Sequence, residues 1–294
     1  MRKNDGLAER FEAHRDHLLR VAYRMLGSLG EAEDAVQEAW LRLSRVDADG
    51  VENLGGWLRT VVSRVCLDML RSRRARPEEP VGQQVPDLVG DADNGGDPER
   101  EALLADSVGR ALLVVLDTLV PAERVAFVLH DMFAVPFDQI APIVGRSSVT
   151  TKKLASRARH RVRGGSAIPT AELARRRHVV DAFLAASRGG DLDAILAVLV
   201  PDVVRRADPA ALPPGAATEV RGARAVAEGI AVFGRRARFA ETALVNGTVG
   251  VVVAPRGRLL LALGVTVEGD RIAGYDVIAD PARLRRLDIA ILGD

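Results

Sequence analysis

Two all-α helical domains followed by an α+β domain are what this 294-residue sequence predicts, making the chain multidomain. Three observations carry that expectation. Apolar residues recur at helical spacing from the N-terminus to about residue 163. A stretch at 76–98, with four prolines, four glycines and many Asp and Glu, interrupts them and is too polar to fold alone. After residue 170, helices come first and strand-like runs follow, the order of an α+β domain.

The first helix is expected over 7–26, where Leu7, Phe11, Leu18, Ala22 and Leu26 share a face. Gly27-Ser28-Leu29-Gly30 breaks it. A second helix, 31–45, opens on Glu31, Glu33 and Asp34, as the helix dipole favours, and buries Ala35, Val36, Ala39, Trp40 and Leu43. Gly55-Gly56 precedes a third, 57–74, that ends in an arginine cluster and a proline. Three helices on short connections make a compact bundle. Beyond the linker, helices are expected at 99–119, 122–132, 137–144 and 147–163. A second linker, 164–169, leads to helices at 171–188, 191–199 and 222–233, with a Pro/Gly/Ala stretch at 207–217. Strands over 238–244, 249–254, 259–268 and 271–279 are punctuated by Gly247, Pro255-Arg256-Gly257 and Gly269-Asp270, which predicts an antiparallel sheet.

A net charge of +1 conceals strong local asymmetry. Residues 146–163 hold seven Lys/Arg and no acid, and residues 57–76 hold six Arg and one acid. Between them, residues 77–100 hold seven acids and one base. Two basic blocks separated by an acidic one suit two polyanion-binding surfaces joined by a solvated strap. The single cysteine, Cys66, excludes an internal disulfide and a multi-cysteine zinc site, and no metal site or cofactor is expected. No run approaches the roughly 18 to 20 apolar residues of a membrane span, and the N-terminus lacks an apolar signal core, so the expectation is a cytoplasmic protein with no membrane partner.

Residues 136–163 have helix-turn-helix spacing: a short helix, the turn Val144-Gly145-Arg146-Ser147-Ser148, and a longer helix capped by Ser147 or Ser148. Leu154, Ala155, Ala158 and Val162 would face inward, leaving Lys152, Lys153, Ser156, Arg159 and Arg163 outside. In such motifs the start of the second helix enters the DNA major groove. A plain helical hairpin with a solvated basic face is the competing reading. In the first bundle, Glu31, Glu33, Asp34 and Glu38 form an acidic surface beside Trp40. Acid on one helix and arginine on the next suits a module touching a protein and a nucleic acid, although this feature taken alone is better explained as solvated surface charge.

Taken in order, these residues resemble a known family. The run Glu31-Ala-Glu-Asp-Ala-Val-Gln-Glu-Ala-Trp40-Leu-Arg-Leu and the stretch from Gly56 to Arg71 are similar to region two of extracytoplasmic-function RNA polymerase sigma factors. Pro121-Ala-Glu-Arg-Val-Ala-Phe127 and Leu154-Ala-Ser-Arg-Ala-Arg-His-Arg-Val162 are similar to region four. The resemblance covers about 1–163 and implies region two at 1–75, an acidic flexible linker at 76–98, and region four at 99–165. It implies that Asp34, Gln37, Glu38 and Trp40 dock on the clamp helices of core RNA polymerase. Asn53, Arg59, Arg64, Arg71, Arg73 and Arg74 would engage the −10 promoter element and its exposed strand. Ser148, Thr150, Lys152, Lys153 and Arg157 would read the −35 element, and the linker would thread toward the polymerase channel.

Residues 170–294 resemble the cone-shaped SnoaL-like/NTF2-like fold that some sigma subfamilies append. Where that group has Asp-Gly-Gly-Gly before Arg-Gly, this chain has Pro213-Pro214-Gly215-Ala216-Ala217-Thr218. The tail Asp280-Pro281-Ala282-Arg283-Leu284 is similar to the group's Asn-Pro-Asp-Lys-Leu, and Gln84-Val85-Pro86-Asp87-Leu88 stands in for its Trp-Leu-Pro-Glu-Pro. The implied function is promoter-specific initiation, with the C-terminal domain modulating activity through intramolecular contacts or a small ligand. An enzyme of the SnoaL-like class, or a ligand-sensing repressor, fused to a DNA-binding module are the alternatives. The enzyme reading needs His178, Asp202, Glu241, Glu268 and Asp276 to converge in a pocket. His178 reads instead as a surface residue, and Asp191 as a helix cap before Leu192.

Overall fold

The computed structural model describes residues 2–46, 51–75 and 108–292. The acidic linker expected at 76–98, with its Gln84–Leu88 run, and the first part of the helix expected at 99–119 lie outside the described residues. The chain divides into two compact units; among the described residues the first holds 2–46, 51–75, 108 and 116–161, and the second holds 109–115 and 162–292.

In the first unit, α1 (Arg2–Leu26), α2 (Leu29–Leu43) and α3 (Leu54–Ala75) pack pairwise. α1 ends because Gly27 takes a φ of +75° and donates its N–H to the Tyr23 carbonyl. One residue on, Ser28 accepts the Glu31 N–H at 3.5 Å and starts α2. The turn expected from composition is thus a C-cap and an N-cap back to back. Asn53 starts α3 in the same way, its Oδ1 accepting the Gly56 N–H at 2.9 Å. Leu18, Leu26, Leu29, Leu43, Leu58 and Leu67 are at most 2% exposed. At about 1.5–3 kcal/mol per buried side chain, that interior stabilises the bundle without a disulfide.

Helix α4 (Arg110–Thr118) enters this unit at Leu116, and α5 (Pro121–Phe127), α6 (Phe137–Val144) and α7 (Ser148–Arg163) follow, the unit ending at Arg161. The helix expected at 122–132 runs as α5 only to Phe127 and continues as a π-helical turn, Val128–Met132. Ala134, at φ +53°, then reverses the chain. α3 packs on both α5 and α6, and α1 packs on the π-turn, so the two helical regions share one unit.

In the second unit, α8 (Thr170–Gly189) and α9 (Leu192–Ala197) lead into β1 (Leu199–Ala207) and β2 (Glu219–Arg221). α10 (Ala223–Ala237), β3 (Ala240–Val245), β4 (Thr248–Val253), β5 (Leu261–Glu268), β6 (Arg271–Ile278), α11 (Pro281–Leu284) and β7 (Ile289–Ala290) complete it. The sheet order is β2-β1-β6-β5-β4-β3-β7. The sequence did not show β1, β2 or β7, and the expected all-antiparallel sheet needs correction: β1 pairs with β6 in parallel. A core of Val179, Val180, Phe183, Val203, Val251 and Tyr275 joins α8 to the sheet. A Cβ on Gly274 would lie 2.9 Å from the Val204 carbonyl oxygen across that parallel pair, so only glycine allows the approach. Asp191 caps α9 as expected, accepting the N–H groups of Asp193 and Ala194. Residues 109–115 belong to this unit: Glu241 on β3 accepts the Ala111 N–H at 3.0 Å, and Arg110 stacks over Phe239.

Candidate nucleic-acid and polymerase interfaces

The helix-turn-helix is built from local chemistry. Gly145, at φ +68°, closes α6, and Ser147 accepts the Thr150 N–H at 3.3 Å to open α7. Leu154, Ala155, Ala158 and Val162 are buried, so Ser148, Lys152 and Lys153 stand exposed on the leading face, with Thr150 half-buried beside them. Arg157 and Arg161 turn instead toward α5, where the buried Glu123 carboxylate meets them at 3.6 and 3.3 Å.

On α2, Asp34 and Gln37 are exposed, Glu38 holds Arg42 at 2.8 Å, and Trp40 lies half-buried against Phe11 with ring centroids 5.1 Å apart. Phe11, Arg15, Glu33, Val36, Gln37 and Trp40 line a groove of about 350 Å³ between α1 and α2. A groove with an aromatic floor and an acidic rim has the make-up of a protein-docking surface.

The arginines of α3 divide. Arg74 is exposed, and Arg71 is exposed beside Asp68 at 3.6 Å. Arg59 donates to Gln139 at 3.0 Å and Arg64 to the Pro142 carbonyl at 3.4 Å, both on α6. Arg73 is taken up inside the unit, bonded to Glu31 and to the Leu26 carbonyl and lying 3.9 Å from Asp117. Asn53 is exposed while it caps α3.

Sequence reasoning passed over the basic face of α1. His14, His17, Arg20 and Arg24 follow one another at intervals of three and four, a helical spacing that could have revealed it. Burial holds the His17 imidazole below its ordinary range, and Arg20, Arg59, His14 and Arg24 push the same way.

In the sheet domain, His178, Asp202, Glu268 and Asp276 are exposed, and Glu241 is engaged with Ala111. These five groups therefore supply no buried acid–base pair. Among the described residues no cluster of three His, Cys, Asp or Glu could hold a metal ion, and no helix is long and apolar enough to cross a membrane.

A helix-turn-helix with hydroxyl and lysine side chains at the start of its second helix, sharing a unit with an acidic-faced three-helix bundle, defines a DNA-binding transcription factor of bipartite design. The model of Sigma-70 region 2 matches residues 10–76 and that of Sigma-70, region 4 matches residues 109–162. ECF RNA polymerase sigma factor SigJ of Mycobacterium tuberculosis is 40% identical over 254 residues, covering 83% of this chain and 80% of the relative. Probable ECF RNA polymerase sigma factor SigI of the same species is 40% identical over 213 residues, covering 71% of this chain and 72% of the relative. The crystal structure of M. tuberculosis SigJ aligns with 95% of this chain and 98% of that chain at 33% identity, with a TM-score of 0.43. The chain belongs to the extracytoplasmic-function RNA polymerase sigma factors. Its role is promoter-specific transcription initiation, carried by sigma regions two and four ahead of a C-terminal sheet-containing domain.

Proposed function

We propose that each face described above has a separate task in initiation. The α2 face, with Asp34, Gln37, Glu38 and Trp40, seats on the clamp helices of core RNA polymerase. The leading face of α7, with Ser148, Thr150, Lys152 and Lys153, reads the −35 element, and Arg157 reaches the same DNA once it leaves Glu123. Asn53, Arg59, Arg64, Arg71, Arg73 and Arg74 take the −10 element. Action on RNA polymerase puts the protein in the cytoplasm. The observation that carries this reading is the division of α7 into a buried apolar side and an exposed face of hydroxyls and lysines at its start.

By their names the −35 and −10 elements lie about 25 base pairs apart, about 85 Å of duplex at about 3.4 Å per step. Arg59 and Arg64 cannot stay hydrogen-bonded to α6 while α7 and α3 occupy both elements. The compact first unit is therefore the form off the promoter, and the two helical regions separate on binding. The C-terminal domain modulates that change by holding the start of α4 through Glu241 and Phe239.

The test mixes the full-length chain with bacterial core polymerase and maps transcript starts on genomic DNA from its host. Discrete starts sharing a two-part upstream motif are expected. Trp40→Ala should weaken core binding by more than tenfold, as loss of a central aromatic anchor does. Absence of specific starts from both the full-length chain and residues 1–167 would sink the reading.

A further inference from the structure

We propose that His17 and Arg24 on α1 form a slot for one unstacked nucleobase of single-stranded DNA, with Arg20 and Arg59 placed for the flanking phosphates, and that Phe133 fills this slot in the compact unit. The proposal rests on the promoter reading above and extends it to residues outside α3 and α7.

His17 and Arg24 are seven residues apart, so they lie two turns apart on one face of α1. The Phe133 ring meets His17 edge-on at a centroid distance of 5.4 Å and an interplanar angle of 86°. The Arg24 guanidinium lies over the same ring, 4.8 Å from its centroid. An arginine cation over a π-face is one of the contacts by which proteins hold an exposed base, and an edge-to-face aromatic is a favourable neighbour for any such ring.

Phenylalanine satisfies only part of this slot. Arg24 Nε is buried and has no hydrogen-bond partner among the described residues. A phenyl ring offers that N–H no lone pair, whereas a nucleotide brings sugar and phosphate oxygens beside its base. The charge around the slot points the same way: His14, Arg20, Arg24 and Arg59 all bear on His17. A phosphate would relieve that mutual repulsion, and an apolar ring does not. Phe133 lies just beyond the π-turn in region four, so the separation of regions that promoter spacing demands also empties the slot.

The proposal is tested on the full chain without polymerase, by fluorescence anisotropy with a labelled oligodeoxythymidylate and a strand of equal length carrying abasic sites. Phe133→Ala should raise affinity for the thymidylate strand at least about fivefold, the low end of one base stacking, and leave the abasic strand almost unchanged. Phe133→Leu, which keeps apolar volume but loses the ring, should move the same way and guards against misfolding of the alanine variant. Adding Arg24→Gln or His17→Ala should abolish the gain. No gain from either Phe133 variant, a gain equal on the abasic strand, or a gain that survives Arg24→Gln would overturn the slot. Transcript mapping with the unaltered chain and core polymerase separates the two readings. Without specific starts the promoter reading fails, while the oligonucleotide contrast still decides the slot.

Discussion

Arg124, 2% exposed, donates to Asp117 at 3.0 Å, and Asp117 itself is 59% exposed. A guanidinium inside the first unit is thus compensated by a carboxylate at its edge. Burial holds Arg124 below the ordinary guanidinium range while Asp117 acts against it. Through Arg73, which bonds Glu31 and lies 3.9 Å from Asp117, the pair connects α2, α3, α4 and α5.

Removing Asp117 should therefore cost more than an exposed carboxylate usually does. Asp117→Ala leaves a buried charge uncompensated and is expected to lower stability by about 2–3 kcal/mol. Arg124→Met in the same background should recover most of that loss. Urea midpoints of the two single variants and the double variant measure the coupling. Simple additivity would show that the pair contributes nothing.

Acid sensitivity of the C-terminal domain should centre on Asp208. Burial raises its pKa, but the N–H groups of Asp280 and Ala279 and the Arg283 guanidinium outweigh burial and hold it below the ordinary carboxylate value. A depressed folded-state pKa means that this stabilisation is present above the unfolded value, about 3.9. It is lost as pH falls through the folded value. Asp208→Asn should destabilise the domain by about 2–3 kcal/mol at neutral pH and flatten its stability profile below about pH 4. Unchanged acid unfolding in that variant would assign the loss to other carboxylates.

Cys66 should report opening of the first unit. It is fully buried on α3, and burial pushes its thiol up to about 12. At pH 8 a disulfide reagent should leave the native chain unlabelled and react fully once urea unfolds it, because thiolate and access are both lacking. Rapid labelling without denaturant would show that α3 opens locally.

The leading lysines of α7 should contribute charge more than sequence preference. Lys152→Ala with Lys153→Ala is expected to reduce the slope of log affinity against log salt by about 2 for holoenzyme on promoter duplex. Ser148→Ala should leave that slope alone and shift base preference instead. Equal slopes for all variants would remove these lysines from the phosphate contacts.

The parts of the fold legible in the sequence are those governed by neighbours in the chain. Gly145 and Ser147 mark the turn of the helix-turn-helix, and Asp191 marks the start of α9, because a cap acts within four residues. β1 was not legible: Leu199–Ala207 contains Pro201 and Asp202, and its strand state comes from parallel pairing with Arg271–Ile278, more than sixty residues away. β7 is two residues long and exists through pairing with Leu244 and Val245. The π-turn at Val128–Met132 follows an unbroken helical apolar pattern, so periodicity alone reads it as more α-helix.

For the functional surface the division is similar. By itself the sequence determined the family, the order of the domains, the basic character of α3 and α7, and the acidic face of α2, since each resides in local motif and charge. Tertiary structure decided which charges remain outside. Arg73 is drawn to Glu31 and Asp117, Arg157 to Glu123, and Arg59 and Arg64 to α6. It also set Phe133 between His17 and Arg24. A charge pattern specifies what a surface attracts. Which side chains are free to attract it depends on partners distant in sequence, and only packing brings those within a few ångströms.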